Sequence, residues 1–312
     1  MILITGAAGY IGSHICSKLK LKKIKFCGID NCSRGKKQNV KNFKFYKYGY
    51  SSKKILQLLI NKKIKTVIHA GALTYPSESE RNKRKYFLNN IKKSIEFIES
   101  CKDNGVENFI FLSSSNVYKF QKNKKIIIKP ENYYGYTKLY VEKFLKKKKF
   151  FKNLVILRLY NIAGFTKEFN FKEYKSKFRR IMPILATSIS KNKPINIYGK
   201  KTQKGFNYSV RDYLHIKDFL NLIMILIKNK VQNITLDVGS SIGISLKQII
   251  KIFEKKIKKK INYRLKEKRI GELDYTCCKK NRTNDKIKWK PIYNIENIIQ
   301  STIDWKRKNE NI

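Results

Sequence analysis

Acidic residues are scarce in this chain: 22 Asp+Glu stand against 71 Lys+Arg in 312 residues, a formal net charge of +49. Long hydrophobic runs are missing as well. The longest, residues 222–227, spans six residues, far below the ~20 that a bilayer-spanning helix needs, which excludes a helical membrane protein. The start, Met1-Ile2-Leu3-Ile4, is apolar from the first residue and lacks a charged leader, so no secretory signal is expected. No Cys-x-x-Cys pair occurs among Cys16, Cys27, Cys32, Cys101, Cys277 and Cys278, and the histidines His14, His69 and His215 are widely scattered. No zinc spacing can be drawn from them; no metal is expected, and the thiols are expected to be reduced in a cytoplasmic protein. What is present is core material. Hydrophobic residues make up 42% of the chain and recur along its whole length, which excludes disorder and provides for one large domain or two coupled ones.

A charge of +49 attracts nucleic acid or anionic lipid by counterion release. The lysines, however, are spread over every segment, among them residues 18–25, 122–129, 146–149 and 255–260. Nucleic-acid modules gather their cations into a patch beside a recognisable motif. The surplus of Lys, Ile, Asn, Tyr and Phe, residues of A/T-rich codons, points instead to composition. No specific nucleic acid and no membrane are expected as partners.

Up to Tyr160, short β-branched runs alternate with longer amphipathic stretches, the pattern of a parallel α/β sheet. It predicts strands over 2–5, 24–29, 66–70, 108–112 and 154–159, and helices over 11–21, 53–61, 85–102 and 134–148. Most strand runs are apolar on both faces, as in a sheet covered by helices on each side. The fold class is α/β, a Rossmann-type doubly wound parallel sheet with a smaller C-terminal α/β substrate domain. Beyond Tyr160 the alternation stops: 165–180 reads as irregular, 181–190 as helix, 195–198 as extended and 199–209 as loop. Then follow a helix over 216–228, a strand over 234–238, a helix over 246–256, a strand over 261–265 and a helix over 295–308. The expected division is 1–164 for the nucleotide domain, with segments near 210–240 returning to it, and 165–312 mainly for the substrate domain.

Three glycines stand between the first strand and the first helix, in Thr5-Gly6-Ala7-Ala8-Gly9-Tyr10-Ile11-Gly12. Gly6 serves the tight turn, Gly9 the approach of a pyrophosphate, and Gly12 close helix–strand packing, while the helix N-terminus offers amide N–H groups to phosphate. Asp30 follows at the end of the next predicted strand, where a carboxylate accepts hydrogen bonds from ribose hydroxyls and favours NAD over NADP. Tyr134 and Lys138 lie i and i+4 on one helical face. An ammonium beside a phenol favours the phenolate, so Tyr134 can act as a general base, although a chain with 19 tyrosines also offers such pairs by chance. Ser113, Ser114 and Ser115 stand at a strand end, where α/β sheets place ligands. A serine hydroxyl there can bond the same substrate oxygen as Tyr134.

The glycine turn, the strand-end serines and the Tyr-x-x-x-Lys pair resemble the extended short-chain dehydrogenase/reductase superfamily. Within it, the chain resembles the UDP-glucose 4-epimerases of the NAD-dependent epimerase/dehydratase family through nearly its whole length. Gly9 to His14, Asp30-Asn31, Thr66 to Ala70, Asn108 to Phe111, Tyr134-Gly135, Val210 to His215 and Arg269 to Glu272 carry the likeness. The resemblance implies interconversion of UDP-glucose and UDP-galactose by reversible hydride transfer at sugar C4, through a 4-keto intermediate and with retained NAD, in a homodimer. It implies a catalytic set of Ser114, Tyr134 and Lys138. NAD would meet Gly6, Gly9, Tyr10, Ile11, Gly12, Asp30, Asn31, Cys32, Ser33, Arg34, Gly35, Ala70, Gly71, Asn89 and Tyr160, together with that set. The UDP-sugar would meet Asn161, Arg180, Ile181, Asn196, Ile197, Tyr198, Arg211, Arg269 and Glu272, with Tyr198 stacking on uracil and Arg211 and Arg269 clamping the diphosphate. The chain departs from the family at Tyr50, Thr74, Lys93 and Arg180, which bears on affinity and substrate range. The alternatives that share the fold are another NAD-dependent nucleotide-sugar epimerase, a 4,6-dehydratase, which needs an Asp-Glu pair where Ser115-Asn116 stands, and, from a different class, a catalytically lost NAD-fold protein binding nucleic acid.

Overall fold

The computed structural model describes residues 1–120, 126–172, 180–203, 205–229, 232–279 and 287–310. Its centre is a seven-stranded parallel sheet in the order Ile234–Val238, Asn153–Leu159, Asn108–Ser114, Thr66–His69, Ile2–Thr5, Phe26–Ile29, Phe45–Tyr46. Ile2–Thr5 and Asn153–Leu159 are buried at every position, which is why their sequences are apolar on both faces. Helices cover both sides. Tyr10–Leu21 and Ile216–Asn229 pack on one face around Ile4, Leu157 and Phe219. Lys54–Asn61, Lys93–Asp103 and Tyr133–Lys148 pack on the other around Leu3, Phe97 and Phe109.

A third core forms around Leu185, Ile249, Phe253 and Ile298, gathered by the helices Ile181–Lys191, Leu246–Ile257 and Ile295–Glu310. The second of these starts at Ser245 in a reciprocal cap with Gln248, a pattern that fixes a helix start from sequence. Val210–His215 lies between Gly243–Ser245 and Tyr275–Thr276, and its last half pairs with Asn161–Ala163. The chain thus returns to the central sheet through Ile216–Asn229 and Ile234–Val238 after leaving it at Leu159.

The structure departs from the sequence expectations at several elements. The stretch 199–209, expected as loop, forms a hairpin in which Ile195–Thr202 pairs antiparallel with Gly205–Tyr208. Its exposed lysines Lys200 and Lys201 give an outward face that reads as loop. The strand expected over 261–265 lies at Tyr263–Glu267, solvent-exposed throughout, with Ile261 alone turned into the core. The helix expected over 85–102 is Lys83–Tyr86, a π-helical turn Phe87–Lys92, and Lys93–Asp103. Phe45–Tyr46, Pro76–Arg81 and Val210–His215 were not among the expected elements. Parts of the lysine run at 122–129 and of the irregular stretch 165–180 lie outside the described residues.

Candidate active site

Open parallel sheets bind ligands beyond the carboxyl ends of their strands, where the strand order reverses. Here that point falls between Ile2–Thr5 and Thr66–His69, followed by Gly6 and by Ala70 and Gly71 respectively. One cavity of about 820 Å³ opens there. Every candidate residue drawn from the sequence lines it except Cys32 and Ile197. Ile197 alternates with the cavity residues Asn196 and Tyr198 along one strand, so it points the opposite way and is fully buried in the third core. Cys32 offers its backbone instead, donating N–H to Asp30 Oδ1 at 2.7 Å.

The glycine turn is sterically committed. Gly6 sits at φ +66°, and a Cβ there would stand 2.8 Å from the Gly71 nitrogen. A Cβ at Gly12 would stand 2.2 Å from the Gly6 carbonyl oxygen. The helix that follows carries neither a side-chain cap nor an acidic residue in its first turn, which leaves its N–H groups to an anion. Asp30 accepts N–H groups from Ala8 at 3.1 Å and from Cys32. Burial pushes its carboxyl up, and the N–H bonds from Cys32, Ala8 and Gly9 oppose that. An adenosine diphosphate moiety fits this donor set: bare helix N–H groups for phosphate, and a backbone-anchored carboxylate beside them. Arg34, on the same loop, is ion-paired to Glu78, which Lys85 and the Tyr86 hydroxyl also engage.

The proton-handling groups are assembled by backbone fit. Ser114 ends its strand, and its Oγ accepts from the Asn116 amide nitrogen at 3.2 Å and from Asn116 Nδ2 at 3.1 Å. The Asn116 carbonyl presses on Gly135, where a Cβ would stand 2.0 Å away; only glycine lets the serine turn dock on the helix carrying Tyr134. Asn132 caps that helix by accepting the Gly135 N–H at 2.8 Å, and its own amide donates to Asn116 Oδ1 at 2.8 Å. Ser79 Oγ accepts the Tyr134 N–H at 2.9 Å. Asn132 and Ser79 are not among the residues drawn from the sequence, and Asn116 enters there only as the residue that stands in place of a dehydratase acid, so that its part in this network, like theirs, is found in the fold. Of the three, only Asn132 carries a local signal, an N-cap residue directly before a helical run.

The phenol–ammonium pair behaves differently from the expectation. Burial pushes the Tyr134 phenol up to about 12, against a hydrogen bond with Ser114 that lowers it. Burial likewise pushes the Lys138 ammonium down to about 7, against the pull of Glu142. Lys138 Nζ donates to the Leu112 carbonyl at 2.7 Å. Desolvation, which a helical i, i+4 spacing cannot reveal, dominates both groups, opposed at Tyr134 by Ser114 and at Lys138 by Glu142.

Opposite, Arg180, Arg211 and Arg269 bring three cations to the cavity. Arg211 donates to the carbonyls of Val210, Leu273 and Asp274. Arg269 pairs with Glu272 and lies over the Tyr198 ring at 4.3 Å from its centroid. Tyr198, expected to stack on uracil, thus already carries a guanidinium on its ring. Among the departures, Tyr50 and Thr74 line the cavity. Tyr50 is anchored by its hydroxyl on the Asn89 carbonyl at 2.5 Å. Lys93 is exposed and lies off the cavity. The histidines His69 and His215 are buried and hydrogen-bonded, His69 to Thr5 at 2.8 Å and His215 to Ser301 at 3.2 Å. Among the described residues, no helix is long and apolar enough to cross a membrane.

A doubly wound sheet, a glycine turn at its switch point and an anchored carboxylate beyond the next strand define a dinucleotide-binding α/β protein. The chain matches the NAD dependent epimerase/dehydratase family over residues 2–239 and belongs to it. It is similar to a UDP-glucose 4-epimerase of Rhizobium meliloti, 25% identical over 330 residues that cover 99% of this chain and 98% of the relative. A UDP-glucose 4-epimerase of Haemophilus influenzae is 28% identical over 332 residues, again covering 99% and 98%. Among solved structures, that of the Bifidobacterium longum UDP-glucose 4-epimerase in complex with NAD+ and UDP superposes with a TM-score of 0.90 at 23% identity, covering 99% of each chain. At that identity the likeness is one of fold.

Proposed function

We propose that this chain is an NAD-dependent UDP-glucose 4-epimerase, an isomerase that interconverts UDP-glucose and UDP-galactose through a 4-keto sugar. The observation that carries the reading is the meeting of three sets in one cavity: the glycine turn with Asp30, the Ser114/Tyr134/Lys138 group, and the arginines Arg180, Arg211 and Arg269. The names of the relatives support the same substrate pair. Residues 1–164, with the returning segment near 210–240, serve as the NAD-binding unit, and 165–312 mainly as the UDP-sugar unit.

Gly6, Gly9, Tyr10, Ile11 and Gly12 would hold the cofactor pyrophosphate, and Asp30 would hold the adenosine ribose. When bound there, NAD would supply a reversible hydride acceptor for sugar C4 and a positive ring that would favour the phenolate of Tyr134. Tyr134 accepts the proton of the sugar 4-hydroxyl, and Ser114 bonds the same oxygen and relays that proton. Lys138 keeps positive charge at the same end of the cavity. The arginines retain the diphosphate while the 4-keto sugar turns, so reduction on its other face inverts the stereocentre. Tyr134 then gives the proton back, and no net oxidation occurs.

A 4,6-dehydratase is disfavoured by Asn116, whose side chain is committed to Ser114 and Asn132 and has no proton to transfer. The charge of +49 is read as compositional, with no specific nucleic-acid partner. A homodimer is supported by exposed Phe87, Leu88, Tyr136 and Tyr140 on the neighbouring segments Phe87–Lys92 and Tyr133–Lys148, in a cytoplasmic enzyme. Purified protein given UDP-galactose is expected to form UDP-glucose, and denaturation is expected to release NAD(H). Absence of turnover, or release of NADP, overturns the reading.

A further inference from the structure

Behind the Tyr134/Lys138 face lies a buried network. Glu142 stands one helical turn after Lys138, with its side chain 1% exposed. Its carboxylate accepts the Ser113 hydroxyl at 2.5 Å. It also accepts Arg158 Nε at 3.0 and 3.1 Å and Arg158 Nη2 at 2.6 Å. Arg158 passes the chain on to the Tyr118 hydroxyl at 2.6 Å, which donates to Asp237 at 2.8 Å. One carboxylate therefore joins the helix that carries Tyr134 and Lys138 to the strand end that carries Ser114. A buried ion pair of this kind contributes little to stability compared with apolar residues of similar volume, so its place next to the proton-handling group calls for another role.

We infer that Glu142 is a positioning residue for catalysis, holding Lys138 in its charged form and fixing the Ser113–Ser114 strand end against the Tyr134 helix. The inference rests on the proposed role of the Ser114/Tyr134/Lys138 group.

The surroundings of Lys138 leave this task to Glu142. On the strand Asn108–Ser114, it meets the Leu112 carbonyl and the Phe111 ring, the latter at 4.7 Å from the centroid. From Thr66–His69 it faces His69, whose pKa burial depresses to about 3, with Lys138 adding to the effect; that ring is neutral. On its own helix stand Tyr134 a turn before and Glu142 a turn after, and Arg158 lies beyond Glu142 on Asn153–Leu159. Burial lowers Lys138 and Glu142 raises it. Glu142, one helical turn away, is thus the anion that offsets part of the desolvation of the ammonium.

The test observes Lys138 directly and does not need turnover. In protein with 13C-labelled lysine side chains, one resonance is expected to titrate near neutrality, far from the ordinary lysine range, and to be identified by its loss in Lys138→Met. Glu142→Gln is expected to move that midpoint down by on the order of one pH unit, as removal of a unit charge about one helical turn away requires. Glu142→Asp is expected to restore most of it. Should Glu142→Gln fail to fold around an unpaired Arg158, the double variant Glu142→Gln/Arg158→Met removes both charges and is expected to show a smaller shift, still downward because Glu142 stands nearer to Lys138 than Arg158 does. In turnover, the alkaline limb of the kcat profile should move down with the midpoint. An unchanged Lys138 midpoint in the folded variant overturns the inference, whether or not the protein proves to be an epimerase. Inactive wild-type protein with the shifted midpoint would overturn only the proposed function.

Discussion

The Arg180 guanidinium lies 3.4 Å from the centroid of the Tyr10 ring. Tyr10 opens the helix after the glycine turn, and Arg180 precedes the helix Ile181–Lys191 of the third core, so this stack joins the two halves of the cavity. The Tyr10 hydroxyl donates to the Gly164 carbonyl at 2.5 Å, which holds the ring in place at the junction. A planar cation seated on a ring is pre-organised for an oxyanion in a way that a flexible ammonium is not.

Arg180→Lys keeps the charge and loses the stack. With a cation–π contact at ~0.5–2 kcal/mol, the affinity for UDP should fall about 3- to 30-fold, with NAD content unchanged. Calorimetric titration with UDP checks this, and an unaltered Kd removes Arg180 from the diphosphate site.

Gly12 makes a prediction about folding. Its absent Cβ leaves room for the Gly6 carbonyl, which would otherwise be met at 2.2 Å. Backbone atoms on both sides cannot step aside as a flexible side chain would. Gly12→Ala is therefore expected to destabilise by at least the ~1–3 kcal/mol of ordinary overpacking and to displace the turn that meets phosphate. Thermal unfolding and NAD content should fall together; a variant with the wild-type Tm and full cofactor contradicts the reading of this turn.

The strand–turn–helix around Gly6 and the placing of Tyr134 and Lys138 on one helix beside the strand-end serines were legible because their signals are local: glycine spacing, apolar runs and an i, i+4 pair. What sequence left hidden was produced by burial and by contacts between distant segments. The docking of Asn116 on Gly135 joins residues whose neighbourhood only the fold creates. The pairing of Glu142 with Arg158 and of Arg34 with Glu78 belongs to the same class. The upward shift at Tyr134 follows from desolvation, which spacing does not encode. Ile197 is different, since strict alternation along 196–198 already places it opposite Asn196 and Tyr198.

Acid sensitivity follows from the histidines. Burial depresses His14 and His69 to about 3 and His215 to about 4, from an ordinary 6.5. Below pH 6.5 the unfolded chain takes up protons that the folded protein refuses, so the stability these rings contribute is complete above that pH and is lost as pH falls. Each ring should account for about 2 kcal/mol between pH 7 and 5. Urea midpoints should drop markedly over that interval, and His69→Gln should drop less. Equal midpoints at both pH values would mean that these rings titrate normally.

The last prediction concerns the base. Tyr134 is 6% exposed, with its backbone N–H on Ser79 and its phenol bonded with Ser114. A phenylalanine keeps the backbone bond to Ser79 and the buried ring and loses only the bond to Ser114, so Tyr134→Phe should fold and bind NAD and UDP nearly as the wild type does. The phenol is pushed up to about 12 in the protein alone, so further positive charge entering the cavity beside it would favour the phenolate and its action as a base. Loss of this single hydroxyl should cost about 10²–10⁴ in kcat, the usual worth of a positioned acid–base group, with KM little changed. Ser114→Ala should cost less, because Tyr134 still reaches the sugar oxygen directly. In a stopped turnover assay with UDP-galactose, a Tyr134→Phe enzyme that keeps wild-type kcat would show that the proton leaves by another route, whatever the family.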